Sequence, residues 1–224
     1  MARTLIQVEP GLASRATDLK CSWCSRPAAD RELLCECGGP LIQQYRSGAW
    51  TDADSSRLRR AAPGVWRYLP WLPVRDPRNI VTLGEGATPL VSFGRVADEL
   101  GLVALEIKDE GRNPTGTFKA RGASVTVSRL VELGYRKLAM PTVGSGGSAW
   151  AAYAARAGIE IMVGYPSTPA VPVIGPLEAK AYGAKVSFED GNTETAFLAF
   201  KAHASAREAI YVGAFREPYR LEGE

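Results

Sequence analysis

Three groups of residues in this 224-residue sequence have the type and spacing to do chemistry. The first centres on Lys119, inside KDEGRNPTGTFKARGAS (108–124). Asn113-Pro114 marks a turn, and Thr115 or Thr117 can cap the helix that follows, which sets Lys119 in that helix's first turn. There the positive end of the helix dipole disfavours an ammonium by roughly 0.3–1 kcal/mol and favours the neutral amine, the form that attacks carbonyl carbons. A lysine simply solvated at an exposed helix start fits the same position.

The second group is a glycine-serine knot, TVGSGGSAW (142–150), between the strand pattern KLAMP and an alanine-rich helix. Gly144, Gly146 and Ala149 satisfy G-x-G-x-x-A, the dinucleotide fingerprint. That fingerprint also needs an acid at the end of the next strand, and IEIMVGYPS ends in Val163, Gly164, Tyr165 and Pro166, which sets NAD aside. What survives is a set of backbone amides at a helix N-terminus, suited to a carboxylate or phosphate.

The third group is Cys21, Cys24, Cys35 and Cys37, in CSWC and CECGGPL. Two close pairs ten residues apart can converge on one zinc ion, and four thiolates leave no open position, so such a zinc is structural. A decayed metal site or four free thiols are the alternatives, since the second pair is C-x-C and not the commoner C-x-x-C.

The elements that must position these groups fall into blocks. Residues 1–50 form the four-cysteine, zinc-ribbon-like segment. Residues 51–79 form a connector, where Pro63, Pro70, Pro73 and Pro77 block regular structure and Trp66, Tyr68 and Trp71 pin the chain to the domain surface. From residue 80 onward short apolar runs alternate with helical patterns, the mark of an α/β fold with open parallel sheets flanked by helices. After a strand within LVALEIKDE, the pattern predicts helix 117–133, strand 137–141, helix 147–157, strand 159–165, helix 170–182, strand 184–188, helix 192–206 and strand 209–213. Gly134, Gly158 and Gly183 each fall just past a helix, where a left-handed residue closes it.

Composition narrows the function. A net charge of +3 with scattered basic residues argues against a nucleic-acid partner. No apolar run approaches the ~18 residues of a membrane span, and the N-terminus lacks a signal-peptide core, so no membrane partner and a cytoplasmic location are expected. The lone His203 lies in a helical stretch as a surface or packing residue, so a general base must be Lys, Asp or Glu.

LGEGATPLV, KDEGRNPTGTFKARGA, PTVGSGGSAWAAYAARAGI and EPYRLEGE, in that order, resemble the threonine synthase branch of the fold-type II pyridoxal-phosphate enzymes. The paired cysteines look like those ahead of the catalytic domain in many threonine synthases. The resemblance implies that Lys119 binds pyridoxal 5'-phosphate covalently and shuttles protons at the carbons of a small amino-acid substrate, with Phe118 fixing its approach. It implies that Thr142, Val143, Gly144, Ser145, Gly146 and Gly147 receive the substrate carboxylate. The reaction implied is loss of phosphate from O-phosphohomoserine, then addition of water to give threonine.

Ser145 stands where the family usually has an asparagine that donates to the cofactor ring, and Ala120 where many threonine synthases have aspartate, which raises a threonine/serine dehydratase alternative. The resemblance also implies a large domain from 80–120 and 214–224, interrupted by a small α/β domain at 121–213 and completed by a later chain return. No phosphate cradle or partner for the pyridine nitrogen follows the small-domain strands. The expectation is therefore a truncated homologue: an inactive remnant or interaction module, or a half-enzyme pairing with itself or a second chain. Apolar faces of 80–118 would then need cover.

Overall fold

The structure, a computed structural model, describes residues 8–48 and 50–224, so residues 1–7 and 49 of the predicted cysteine segment lie outside the described residues. That segment is a three-stranded antiparallel sheet of β1 (Ala16–Cys21), β2 (Pro27–Ala28) and β3 (Leu41–Tyr45), with β1 central. The connector opens with α1 (Asp52–Arg60), a helix that lies ahead of its first proline. Thr51 and Asp54 cap it reciprocally, each side chain taking the other's backbone N–H. Beyond α1 the prolines hold the chain in short 3-10 turns at Val65–Trp71 and Pro77–Asn79. Of the three aromatics expected to pin it, only Trp66 is buried; Tyr68 and Trp71 are exposed, and Trp71 lies instead against Trp50 at 4.5 Å between ring centroids.

Residues 80–118 do not join a parallel sheet. β4 (Leu90–Ser92) and β5 (Glu106–Lys108) form an antiparallel pair around α2 (Gly94–Glu99), and every residue of both strands is exposed. Leu90, Val91, Phe93, Leu100, Val103 and Ile107 are all exposed.

The parallel sheet follows. Its chain order is α3 (Lys119–Glu132), β6 (Lys137–Pro141), α4 (Gly146–Ala157), β7 (Glu160–Pro166), α5 (Ile174–Ala181), β8 (Lys185–Glu189), α6 (Thr193–Ala206) and β9 (Ile210–Tyr211), then a short α7 (Arg220–Gly223). The sheet order is β8-β7-β6-β9, all parallel. Gly134, Gly158 and Gly183 all take the positive φ that ends the preceding helix. α5 starts four residues later than predicted because Pro169 and Pro172 exclude helix before it, while Pro176 is tolerated in its first turn. The predicted strand 209–213 is only two residues long, at the sheet edge.

Successive residues of β7 show which helix covers which face. A Cβ added to Gly164 would meet the Phe200 ring of α6 at 2.4 Å, whereas Val163 and Tyr165 point the other way and touch Gly147 of α4. α4 and α6 therefore sandwich the sheet, with α3 packed on α4 and α7 packed on α3. Among the described residues no helix is long and apolar enough to cross a membrane.

Candidate functional site

The knot follows the C-terminal end of β6, where ligands bind in open parallel α/β sheets. The Thr142 amide donates to the Gly164 carbonyl, extending the β6–β7 ladder one step, and Thr142 Oγ1 then accepts the Gly144 amide at 3.2 Å. Thr142, Gly146 and Gly147 are buried, while Val143 and Ser145 face solvent. Gly147 must be glycine, because a Cβ there would lie 2.1 Å from the Tyr165 hydroxyl. The amides of Ser145 and Gly146 have no acceptor among the described residues, so an anion at the start of α4 finds both free.

Lys119 is the first residue of α3, two residues later than the predicted start. Thr117 is extended and Thr115 is left-handed (φ 63), so the turn ahead cannot be helix. Phe118, not Thr115 or Thr117, stands at the N-cap position and makes no side-chain capping bond; of the two threonines only Thr117 reaches the helix start, its Oγ1 accepting the Lys119 amide at 3.3 Å. The same hydroxyl lies 3.3 Å from Ser145 Oγ, so the lysine turn and the knot share one edge. Lys119 Nζ lies 4.2 Å from the Phe118 ring centroid and donates to the Glu224 carboxylate at 3.1 and 3.2 Å. Half-exposed His203 pairs with Glu189 away from these groups, as expected of a surface residue.

Two buried or part-buried networks hold this arrangement, and sequence reasoning assigned neither. Arg121, two residues past Lys119, forks onto both oxygens of Glu110 at 2.7 Å. Glu110 also accepts from Thr88 at 2.5 Å and Asn113 at 2.8 Å, and Asn113 in turn accepts the Gly86 amide. Arg121 first, then the Thr88 and Asn113 donors, lower the Glu110 carboxyl from its ordinary value to about 2 despite burial. A depressed carboxylate contributes stability that is full above the unfolded value near 4.5 and lost as pH falls through about 2. We expect Arg121→Gln to flatten the acid side of the stability profile between those limits, at a cost of about 1–2 kcal/mol at neutral pH after solvent screening. Urea titrations from neutral pH downward read it, and parallel profiles for both proteins would contradict it.

The second network centres on Glu85 of GEGATPL, only 1% exposed. It accepts from Trp66 Nε1 (2.9 Å), Ser124 Oγ (2.5 Å), Tyr153 OH (2.5 Å), Thr82 Oγ1 (3.0 Å) and the Leu83 amide (3.0 Å). Connector, glycine loop, α3 and α4 meet at this one carboxylate. A buried charge is the opposite of what composition leads one to expect; only its place inside a glycine-rich turn marks it.

The four cysteines converge as predicted. Cys21–Cys37, Cys24–Cys35 and Cys24–Cys37 sulfurs lie 3.5, 3.7 and 3.6 Å apart, and all four lie within 4.8 Å of one another. A tetrahedral zinc with bonds of ~2.3 Å has sulfur–sulfur edges of about 3.8 Å, so the donor set fits the ion. The Cys37 amide, then Arg26, lower Cys35 to about 6 against burial. The Gly39 amide lowers Cys37, but the sulfurs of Cys35 and Cys21 outweigh it and raise that thiol to about 12. Four crowded sulfurs resist full ionisation together, which is the conflict a divalent cation removes. Gly39 has no room for a side chain, as its Cβ would lie 2.8 Å from Cys21 Sγ.

Residues 81–224 match the family model described as "Pyridoxal-phosphate dependent enzyme". The chain belongs to this family. Among curated proteins it is 39% identical over 209 residues to a threonine synthase of Methanocaldococcus jannaschii, covering 92% of this chain and 51% of that protein. It is 37% identical over 211 residues to a threonine synthase of Methanosarcina acetivorans, covering 92% and 50%. The chain thus spans about half the length of these relatives. Solved structures give the same fold: maize serine racemase has a TM-score of 0.55 at 24% identity, over 61% of this chain and 41% of that one. Threonine deaminase isoform 2 from Solanum lycopersicum has a TM-score of 0.54 at 23% identity, over 61% and 39%.

Proposed function

We propose that this family member carries the lysine-bearing half of a threonine synthase-type site, converting O-phosphohomoserine to threonine and phosphate. The observation that carries the reading is the meeting of the Lys119 turn with the knot, through Thr117 Oγ1 and Ser145 Oγ. The identity to threonine synthases supports it. The residues fit pyridoxal phosphate at its reactive end: a part-exposed primary amine, two amides without internal acceptors and a solvent-facing hydroxyl.

When bound, the cofactor supplies an electron sink for carbanions. Lys119 Nζ would hold it, and the same amine, when free, would move protons at the substrate carbons. Ser145 and Gly146 amides orient the carboxylate, and Thr117 orients Ser145. Phe118 limits where the amine can swing.

The exposed apolar face of β4, β5 and α2 is where the rest of the large domain would pack, from the same chain, a second copy or a complementing chain. The test is threonine and phosphate release from O-phosphohomoserine by the protein supplied with that remainder; products in stoichiometric yield support it, and 2-oxobutanoate from threonine instead would favour the dehydratase reading. Ser145, in place of the usual asparagine, favours a non-catalytic remnant as second reading, and no turnover with intact cofactor capture would select it.

The cysteine cluster is read as structural zinc. One zinc per chain is expected by elemental analysis, with Cys35→Ser losing it and melting several degrees lower, by about 2–4 kcal/mol. A full-length chain purified without metal and unchanged in melting by added zinc would refute this.

A further inference from the structure

We propose that Glu224 is a positioning residue for Lys119: its carboxylate latches the amine, and the cysteine segment seats the latch. The carboxylate accepts from Nζ at 3.1 and 3.2 Å while the Phe118 ring flanks the amine at 4.2 Å, so the amine is held between two partners. Neither end is freely solvated, with Lys119 33% and Glu224 19% exposed. To reach a carbonyl carbon the amine must leave this carboxylate.

α7 has too few residues to be a helix by itself, so its position comes from what it touches. A Cβ on Gly223 would lie 2.6 Å from the Arg121 carbonyl, and one on Gly122 would lie 2.9 Å from Glu224 Cγ, so two glycines let α7 lie directly on α3. Buried Glu217 accepts the Tyr219 and Arg220 amides and the Arg220 guanidinium, which itself donates to the Val212 carbonyl. Two further bonds come from the cysteine segment. The Tyr219 hydroxyl donates to the Asp30 carbonyl at 2.6 Å, and the Tyr45 hydroxyl donates to Glu222 at 2.6 Å, two residues from the latch. Asp30 also pairs with Arg129 of α3 at 2.8 Å, so the segment grips both helices that bring Glu224 and Lys119 together.

This rests on reading Lys119 as the carbonyl-reactive lysine, and the test needs no cofactor. The whole chain is acetylated briefly with acetic anhydride and each lysine is quantified by mass spectrometry, against Lys137, which is exposed and makes no ion pair among the described residues. Glu224→Gln is expected to raise Lys119 labelling relative to Lys137 by about three- to tenfold. Glu224→Asp should restore most of the protection, and Tyr45→Phe should fall between wild type and Glu224→Gln. Equal Lys119 labelling in wild type and Glu224→Gln overturns the latch, as does a rise shared by Lys137 and Lys185. Wild-type labelling in Tyr45→Phe overturns the role of the cysteine segment. Failed pyridoxal capture with the latch behaviour intact would sink the cofactor reading alone.

Discussion

Lys119→Arg is expected to abolish covalent capture of pyridoxal phosphate, with the loss reaching about three orders of magnitude or more. Arginine keeps the positive charge that Glu224 and the Phe118 ring face, so the fold and α7 should stay in place. What it removes is the primary amine, and a guanidinium stays protonated and forms no Schiff base at neutral pH. The measurement is incubation with the cofactor, borohydride reduction and peptide mapping. Wild type should carry one pyridoxyl mass on Lys119, while the variant should carry none there and melt within a degree or two of wild type. A tag of equal yield on another lysine would mean that the knot and the lysine turn meet for a structural reason, and the proposed site would fall.

That lysine was legible in the sequence because a proline turn, a threonine hydroxyl and a helix start lie consecutively in the chain. The knot was legible for the same reason, as was convergence of the cysteines, whose two tight pairs leave few geometries. The helices and strands from α3 to β9 followed from periodicity, with glycine at three helix ends, while α7 did not. What stayed hidden depended on contacts distant in the chain. Glu85 and Tyr153 are 68 residues apart, and Lys119 and Glu224 are 105 apart. A charged residue in a turn reads as solvated until something is seen to bury it. β5 falls within the strand predicted in LVALEIKDE, but its pairing with β4 stayed hidden for a related reason. Its apolar run is long enough for a strand of a parallel sheet, but pattern alone cannot say which neighbour it pairs with.

Glu85→Ala should be the most destabilising single change in the chain, by roughly 3–5 kcal/mol. Of its five donors, two keep another acceptor, since Ser124 Oγ still reaches the Val81 carbonyl and Trp66 Nε1 still reaches Ser124, while part-exposed Thr82 and exposed Leu83 can turn to water. Tyr153 OH is fully buried and keeps nothing, and such an orphaned donor costs about 1–3 kcal/mol, with the void left by the side chain adding to it. Relief from burying the carboxylate offsets part of this, so the figure stays below the sum of five bonds. Glu85→Gln should lose less, since the amide oxygen still accepts. The Tyr153 contribution can be isolated: Tyr153→Phe removes the donor together with its need, so the double variant should be less destabilised than the two single changes added, by about 1 kcal/mol or more. Urea unfolding midpoints of the four proteins give the cycle. Strict additivity, or a loss under about 1 kcal/mol for Glu85→Ala, would show that α3 and α4 are held by apolar packing alone. The expected coupling instead makes one carboxylate the joint through which Ser124 of the lysine helix and Tyr153 of the knot helix keep their relative placement.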